Sequence, residues 1–99
     1  MAKFRFDCSL RGKEKPSTID YPRWIEVLNP RSHLLPKARK QIKICSVRTR
    51  IISQNKFENG CFGIIKALQS LEVIEIKDVK IELIQRQNKC FQHTEIEID

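Results

Sequence analysis

Residues 62–72 read FGIIKALQSLE, and whether this run is helix or strand decides the fold. Ile64, Ile65, Leu68 and Leu71 fall at i, i+1, i+4 and i+7, the stripe of an amphipathic helix. Lys66, Ala67, Leu68 and Gln69 are good helix formers. The same run follows a glycine and leads into β-like sequence, so an extended reading stays open. As strand, it completes a mainly β domain. As helix, it makes the domain α+β.

The flanking segments read mostly as strands. Residues 3–9 (KFRFDCS) alternate, with Phe4 and Phe6 on one side. Residues 10–22 hold Gly12, Pro16 and Pro22 and read as a loop. Residues 23–28 (RWIEVL) read as a short strand with Trp24, Glu26 and Leu28 on one side, broken by Asn29-Pro30. Residues 31–40 form a basic connector. In residues 41–52 (QIKICSVRTRII), Ile42 and Ile44 share a face, and the apolar set then moves to Val47 and Ile51. That shift predicts a β-bulge at Cys45-Ser46. Residues 53–60 (SQNKFENG) read as a polar turn ending in Asn59-Gly60. Residues 73–77 and 79–83 alternate, with a change of phase at Lys77-Asp78 that predicts a bulge or reversal. Residues 95–98 alternate Glu and Ile, giving one acidic, solvated face.

The chain has 99 residues, enough for one domain. The expected organisation is a basic, loop-rich part over 1–40 and a β-rich core over 41–99. No apolar run approaches the roughly 18 residues of a membrane span. The start, MAKFRFDCSLRGKEK, has no apolar core of a secretory signal. Four cysteines, Cys8, Cys45, Cys61 and Cys90, are too far apart for a CxxC knuckle and are expected to be ordinary thiols. Cys90 and His93 form a lone C-x2-H, two ligands short of a zinc site. No cofactor and no metal site is expected.

No nucleophile or acid–base pair with an orienting partner stands out, and no phosphate-binding glycine motif is present. His33 and His93 are 60 residues apart. Glu75-Ile76-Lys77 has the form of an E-x-K nuclease element, a pattern that chance supplies readily in a chain with this much Glu and Lys. The chain is not expected to be an enzyme.

The charge is unevenly placed. The net charge is +7, made of +10 over residues 1–56 and −3 over residues 57–99. The densest stretch, 31–50, holds Arg31, Lys37, Arg39, Lys40, Lys43, Arg48 and Arg50 and no acid. Lys37, Arg39, Lys40, Lys43, Arg48 and Arg50 form the candidate binding patch, able to neutralise phosphates on a nucleic acid or to meet an anionic lipid or protein face. No aromatic lies within 31–50, and the nearest are Tyr21, Trp24 and Phe57, so base stacking finds no platform there.

The run 63–87 (GIIKALQSLEVIEIKDVKIELIQRQ) carries a likeness to a known family. It resembles the C-terminal arrestin-like domain of the small subunit of retromer and of its relative, retriever. The resemblance lies in a glycine opening a strand and in the alternating Ile74, Ile76, Val79, Ile81, Leu83 and Ile84. Gln85-Arg86-Gln87 matches its polar end, Thr94-Glu95-Ile96 the segment beyond, and Leu34-Leu35-Pro36-Lys37 the lead-in. Residues 1–33 have no counterpart, and the chain stops before such a sandwich would finish, so a partial copy is expected.

Together these readings predict a mainly β domain of antiparallel sheets, a partial arrestin/immunoglobulin-like sandwich, with α+β and one helix at 62–72 as the alternative. The resemblance implies a non-catalytic adaptor for protein transport, bound to a larger scaffold protein, cytoplasmic or peripheral to an endosomal membrane. The alternative is a small basic nucleic-acid-binding protein, ribosome-associated or viral. A two-sheet sandwich favours the adaptor. A helix at 62–72 packed across one four-stranded sheet would sink the adaptor reading.

Overall fold

The computed structural model describes residues 2–74 and 79–99. Residues 62–72 are helix: α3 spans Phe62–Ser70 and buries Gly63, Ile64, Ala67 and Leu68. After it, Glu72 takes the left-handed conformation (φ 61°) that commonly closes helices, and the Val73 amide bonds back to the Leu68 carbonyl at 2.9 Å. Local propensity and the four-residue spacing of Ile64 and Leu68 here outweigh the pull of the β-like sequence that follows.

Among the described residues, three α-helices and four strands make an α+β fold. The strands are β1 (Ala2–Phe6), β2 (Gln41–Arg48), β3 (Lys80–Gln87) and β4 (His93–Ile98). Besides α3, the helices are α1 (Tyr21–Leu28) and α2 (Gln54–Gly60), with a 3-10 helix over Asn29–Leu34. The sheet has the order β1-β4-β2-β3. β4 runs antiparallel to both β1 and β2, whereas β2 and β3 run parallel. A parallel pair needs a long crossover, and α2 with α3 supplies it. The sheet is therefore mixed, and the described residues form one sheet with helices rather than two facing antiparallel sheets.

Several local expectations change. Residues 23–28 lie in α1, because Trp24 and Leu28 are four apart and satisfy a helical face as well as a strand face. Pro22 sits in the first turn, where no amide is required, and Asn29-Pro30 leads into the 3-10 helix. Residues 54–60 form a helix rather than a turn, capped by the Ser53 hydroxyl, which accepts from the Lys56 amide at 3.2 Å. No bulge interrupts β2 at Cys45-Ser46, since its register with β3 runs unbroken from Gln41↔Lys80 to Arg48↔Gln87. The apolar phase shifts because Ser46 and Arg48, polar, occupy the last two helix-facing positions. Residues 75–78, which include Glu75, Ile76, Lys77 and Asp78 of the E-x-K element and the phase change, lie outside the described residues.

The core lies between the sheet and the helices. Ile42, Ile44, Ile96 and Ile98 of the central strands meet Trp24, Leu28, Phe57, Ile64 and Leu68, and all are buried. No helix among the described residues is long and apolar enough to cross a membrane.

The other sheet face carries charged rungs. Lys3, Glu97, Lys43 and Glu82 are register partners across all four strands, alternating in sign. Lys3 and Lys43 lie 3.8 and 3.6 Å from Glu97. One rung on, Glu95 is not simply solvated. It receives Lys3 at 3.3 Å, Arg86 at 3.0 Å and His93 Nε2 at 2.9 Å, and its side chain is 13% exposed.

Candidate nucleic-acid interface

The six candidate residues do not form one patch, because β2 runs through the middle of them. Lys37, Arg39 and Lys40 lie before β2 and are exposed; the amides of Arg39 and Lys40 both donate to the Asp99 carbonyl at 2.9 Å. Arg48 and Arg50 lie at the opposite end, about 23 Å away at 3.3 Å per strand residue. Lys43 is on the open sheet face, engaged with Glu97.

Arg48 is an internal strut. Its Nη1 donates to the Leu10 carbonyl and, at 3.3 Å, to the Ser46 hydroxyl, while its Nε donates to the Arg50 carbonyl at 3.2 Å. Burial lowers its pKa from the ordinary arginine value. Arg31 also turns inward, with Nη1 donating to the Arg5 carbonyl at 2.6 Å and its guanidinium 4.5 Å from the Phe6 ring centre. Of the original set, Arg50 remains as an exposed cation at the carboxyl end of β2.

The fold brings other cations to that end. The loop over residues 10–17 lies along α2: the Lys13 amide donates to the Lys56 carbonyl at 3.0 Å and the Ser17 amide to the Asn59 carbonyl at 3.1 Å. The Asn59 side-chain amide donates to the Lys13 and Glu14 carbonyls, each at 3.1 Å. These bonds set Arg11, Lys13 and Lys15 beside Lys56. A second tie comes from the β3–β4 turn. The Asn88 amide donates to the Arg48 carbonyl at 2.7 Å, and Gln87 and Gln92 side chains reach the Thr49 carbonyl and hydroxyl at 3.2 and 3.3 Å. Lys89 and Phe91 are thereby placed next to Thr49-Arg50. Gln85 holds the connecting loop at two points, accepting from the Ile52 amide at 3.0 Å and donating to its carbonyl at 2.9 Å.

The result is a basic edge at the carboxyl ends of the parallel strands, formed by Arg11, Lys13, Lys15, Arg50, Lys56 and Lys89. Lys13 meets Asp20 at 3.6 Å and Lys56 meets Glu14 at 2.9 Å. Glu14 is 80% exposed, so the second pair is a weak surface contact that a phosphate can displace. Among the described residues, Arg11, Lys15 and Arg50 have no carboxylate partner. Five of the six members were invisible as a patch in sequence, although the close spacing of Arg11, Lys13 and Lys15 was a usable signal.

Among the described residues, no group of three His, Cys, Asp or Glu could hold a metal ion. Cys90 is exposed in the turn, while His93 is buried against Glu95. All four cysteines are free thiols, and burial pushes the Cys61 thiol up to about 12. His33 is exposed in the 3-10 helix.

The Glu95 cluster predicts a pH effect. The hydrogen bond from His93 holds the carboxyl below the ordinary 4.5, helped by Lys3 and Arg86 and opposed by burial. A carboxylate whose folded pKa is depressed stabilises the fold above its unfolded value and loses that contribution as pH falls through the folded one. Glu95→Gln is therefore expected to flatten the loss of stability below pH 4.5, read by urea unfolding across the acid range. An unchanged acid limb would show that the cluster contributes nothing to it.

Compared with known proteins, the chain matches no protein-family model, no curated protein and no solved structure.

Proposed function

We propose that the protein is a non-catalytic nucleic-acid-binding module that grips the phosphate backbone with the carboxyl edge of its sheet. One observation carries this reading. Three separate stretches of chain, 10–15, 50–56 and the turn at Lys89, deliver six cations to one edge, and ordered hydrogen bonds hold those stretches together. Open sheets with parallel strands commonly bind phosphate-bearing ligands outside the carboxyl ends of the strands. A row of cations, rather than a single pocket, suits an extended polyanion.

The test is salt-dependent binding to a labelled oligonucleotide. The triple variant Arg11→Glu, Lys15→Glu, Arg50→Glu is expected to weaken binding at least about tenfold at low salt. It should also reduce the slope of log K against log salt by about 2–3, near 0.9 per lost phosphate contact. Compared at about 0.1 M salt, where the screening length is roughly 10 Å, reversing Lys37, Arg39 and Lys40 at the far end should leave binding within about twofold. Absence of binding by the unaltered chain at low salt, or equal loss from both triple variants, refutes the reading.

A scaffold-bound adaptor, cytoplasmic or peripheral to an endosomal membrane, is the second reading, and a helix at 62–70 beside one four-stranded sheet counts against it. Its structural support is the position of β3 at the sheet edge, where a partner strand could pair. It requires co-purification with a helical-repeat scaffold.

A further inference from the structure

We propose that Phe91 is a stacking platform for an unpaired base, so that the polyanion held by the basic edge is single-stranded nucleic acid. This rests on the nucleic-acid reading above and names its ligand class.

Phe91 stands in the turn between β3 and β4 and is 55% exposed. A turn makes no backbone demand for an aromatic residue, and leaving a large ring in water forgoes the gain from burying it. The ring is also positioned. The Cys90 amide donates to the Asn88 side chain at 2.9 Å, and the neighbouring Gln92 is tied to Thr49. The Arg5 guanidinium lies 5.9 Å from the ring centre, at the outer limit of cation–π range. Lys89 is two residues away, and Arg50 follows the Thr49 to which the turn is bonded. Ile51, 45% exposed, adds an apolar surface to the same loop. An exposed ring among cations is the arrangement by which proteins hold single strands: cations track phosphates while the aromatic takes a base face. In a duplex both faces of each internal base are already stacked, so a lone ring on a turn gains nothing from it.

This also resolves the missing aromatic of the basic sequence. Tyr21, Trp24 and Phe57 are nearest along the chain, but Trp24 and Phe57 are fully buried and Tyr21 is engaged with Ser70 and Lys66. The aromatic available at the end of β2 arrives from some 40 residues further along.

The experiment compares full-length protein binding to labelled oligothymidine, oligouridine and a duplex of equal length, about 16 nucleotides, by fluorescence anisotropy at low salt. The unaltered chain should favour single strands. Phe91→Ala should lose about five- to 100-fold on the better single strand and change duplex affinity by no more than about twofold. Phe91→Trp should retain or increase single-strand affinity, and circular dichroism should show both variants folded. The thymidine and uridine arms differ in both sugar and 5-methyl group and together test an unpaired pyrimidine strand of either kind, so binding to either agrees with the proposal. If Phe91→Ala binds single strands as the unaltered chain does, or loses duplex and single strand equally, the stacking role is overturned while the basic-edge reading stands. If the unaltered chain binds none of the three, both fall.

Discussion

Trp24→Ala is expected to destabilise the protein by about 3–5 kcal/mol, the usual cost of removing a large buried aromatic side chain. Trp24 is the largest fully buried side chain of the core, at 0% exposure, and packs with Leu28 from the same helix face against the sheet. Domains of this size are typically stable by about 5–15 kcal/mol, so the change removes a large fraction of the total. The thermal midpoint should fall by about 20 °C, followed by circular dichroism. Trp24→Phe separates packing from polarity. Among the described residues the buried indole Nε1 has no hydrogen-bond partner, so phenylalanine forfeits no hydrogen bond to them and leaves only a smaller void. It should cost less than half as much. Equal losses for the two variants would show that packing volume is not what Trp24 provides.

The second large effect is expected at Gly60. A Cβ at this position would collide with the carbonyl oxygen of Arg11, a backbone atom. Alanine is the better helix former by about 1 kcal/mol, so propensity alone predicts stabilisation. The collision should win, because Arg11 cannot simply withdraw: the adjoining loop is fixed to α2 through Lys13, Ser17 and Asn59. Gly60→Ala is expected to cost about 2 kcal/mol net, within the range for overpacked sites. It should also weaken oligonucleotide binding, since the loop bearing Arg11, Lys13 and Lys15 must lift away. Gly12→Ala is the control. A Cβ there meets Ile52 Cδ1, the tip of a flexible side chain that can rotate. A wild-type urea midpoint for Gly60→Ala would refute the close-approach argument.

The sequence was most readable where one period dominated. Ile42 and Ile44 marked β2, Ile96 and Ile98 marked β4, and Phe4 and Phe6 marked β1, all now on the helix-facing side of one sheet. The segment 23–28 misled because Trp24 and Leu28 obey both periods at once. Asn59-Gly60 misled because its residues serve contacts with a distant loop rather than a hairpin. The parallel pairing of β2 with β3 depends on the crossover between them, which no local pattern within either strand encodes. The candidate site failed for a related reason. Counting charges along 31–50 treated neighbours in sequence as neighbours in space, whereas a strand carries consecutive residues apart. The cations that do gather are brought by backbone hydrogen bonds between residues over 30 positions apart, and such bonds leave no trace in composition.

The order of the strands bears on how the protein is made. β1 is synthesised before the other strands described here, yet among the described residues its only strand neighbour is β4, assembled from residues 93–98. Until residues 93–98 emerge, the sheet lacks a member of its centre, and β1 and β2 have nothing between them. The nascent chain must therefore carry Phe4, Phe6, Ile42 and Ile44 without the strand that joins their edges until β4 has been made. Pairings this distant also slow folding, because loop closure precedes the contacts that reward it. Synthesis of the basic edge is completed late as well, with Lys89 and Phe91, so its full charge array exists only when the sheet is ready to close.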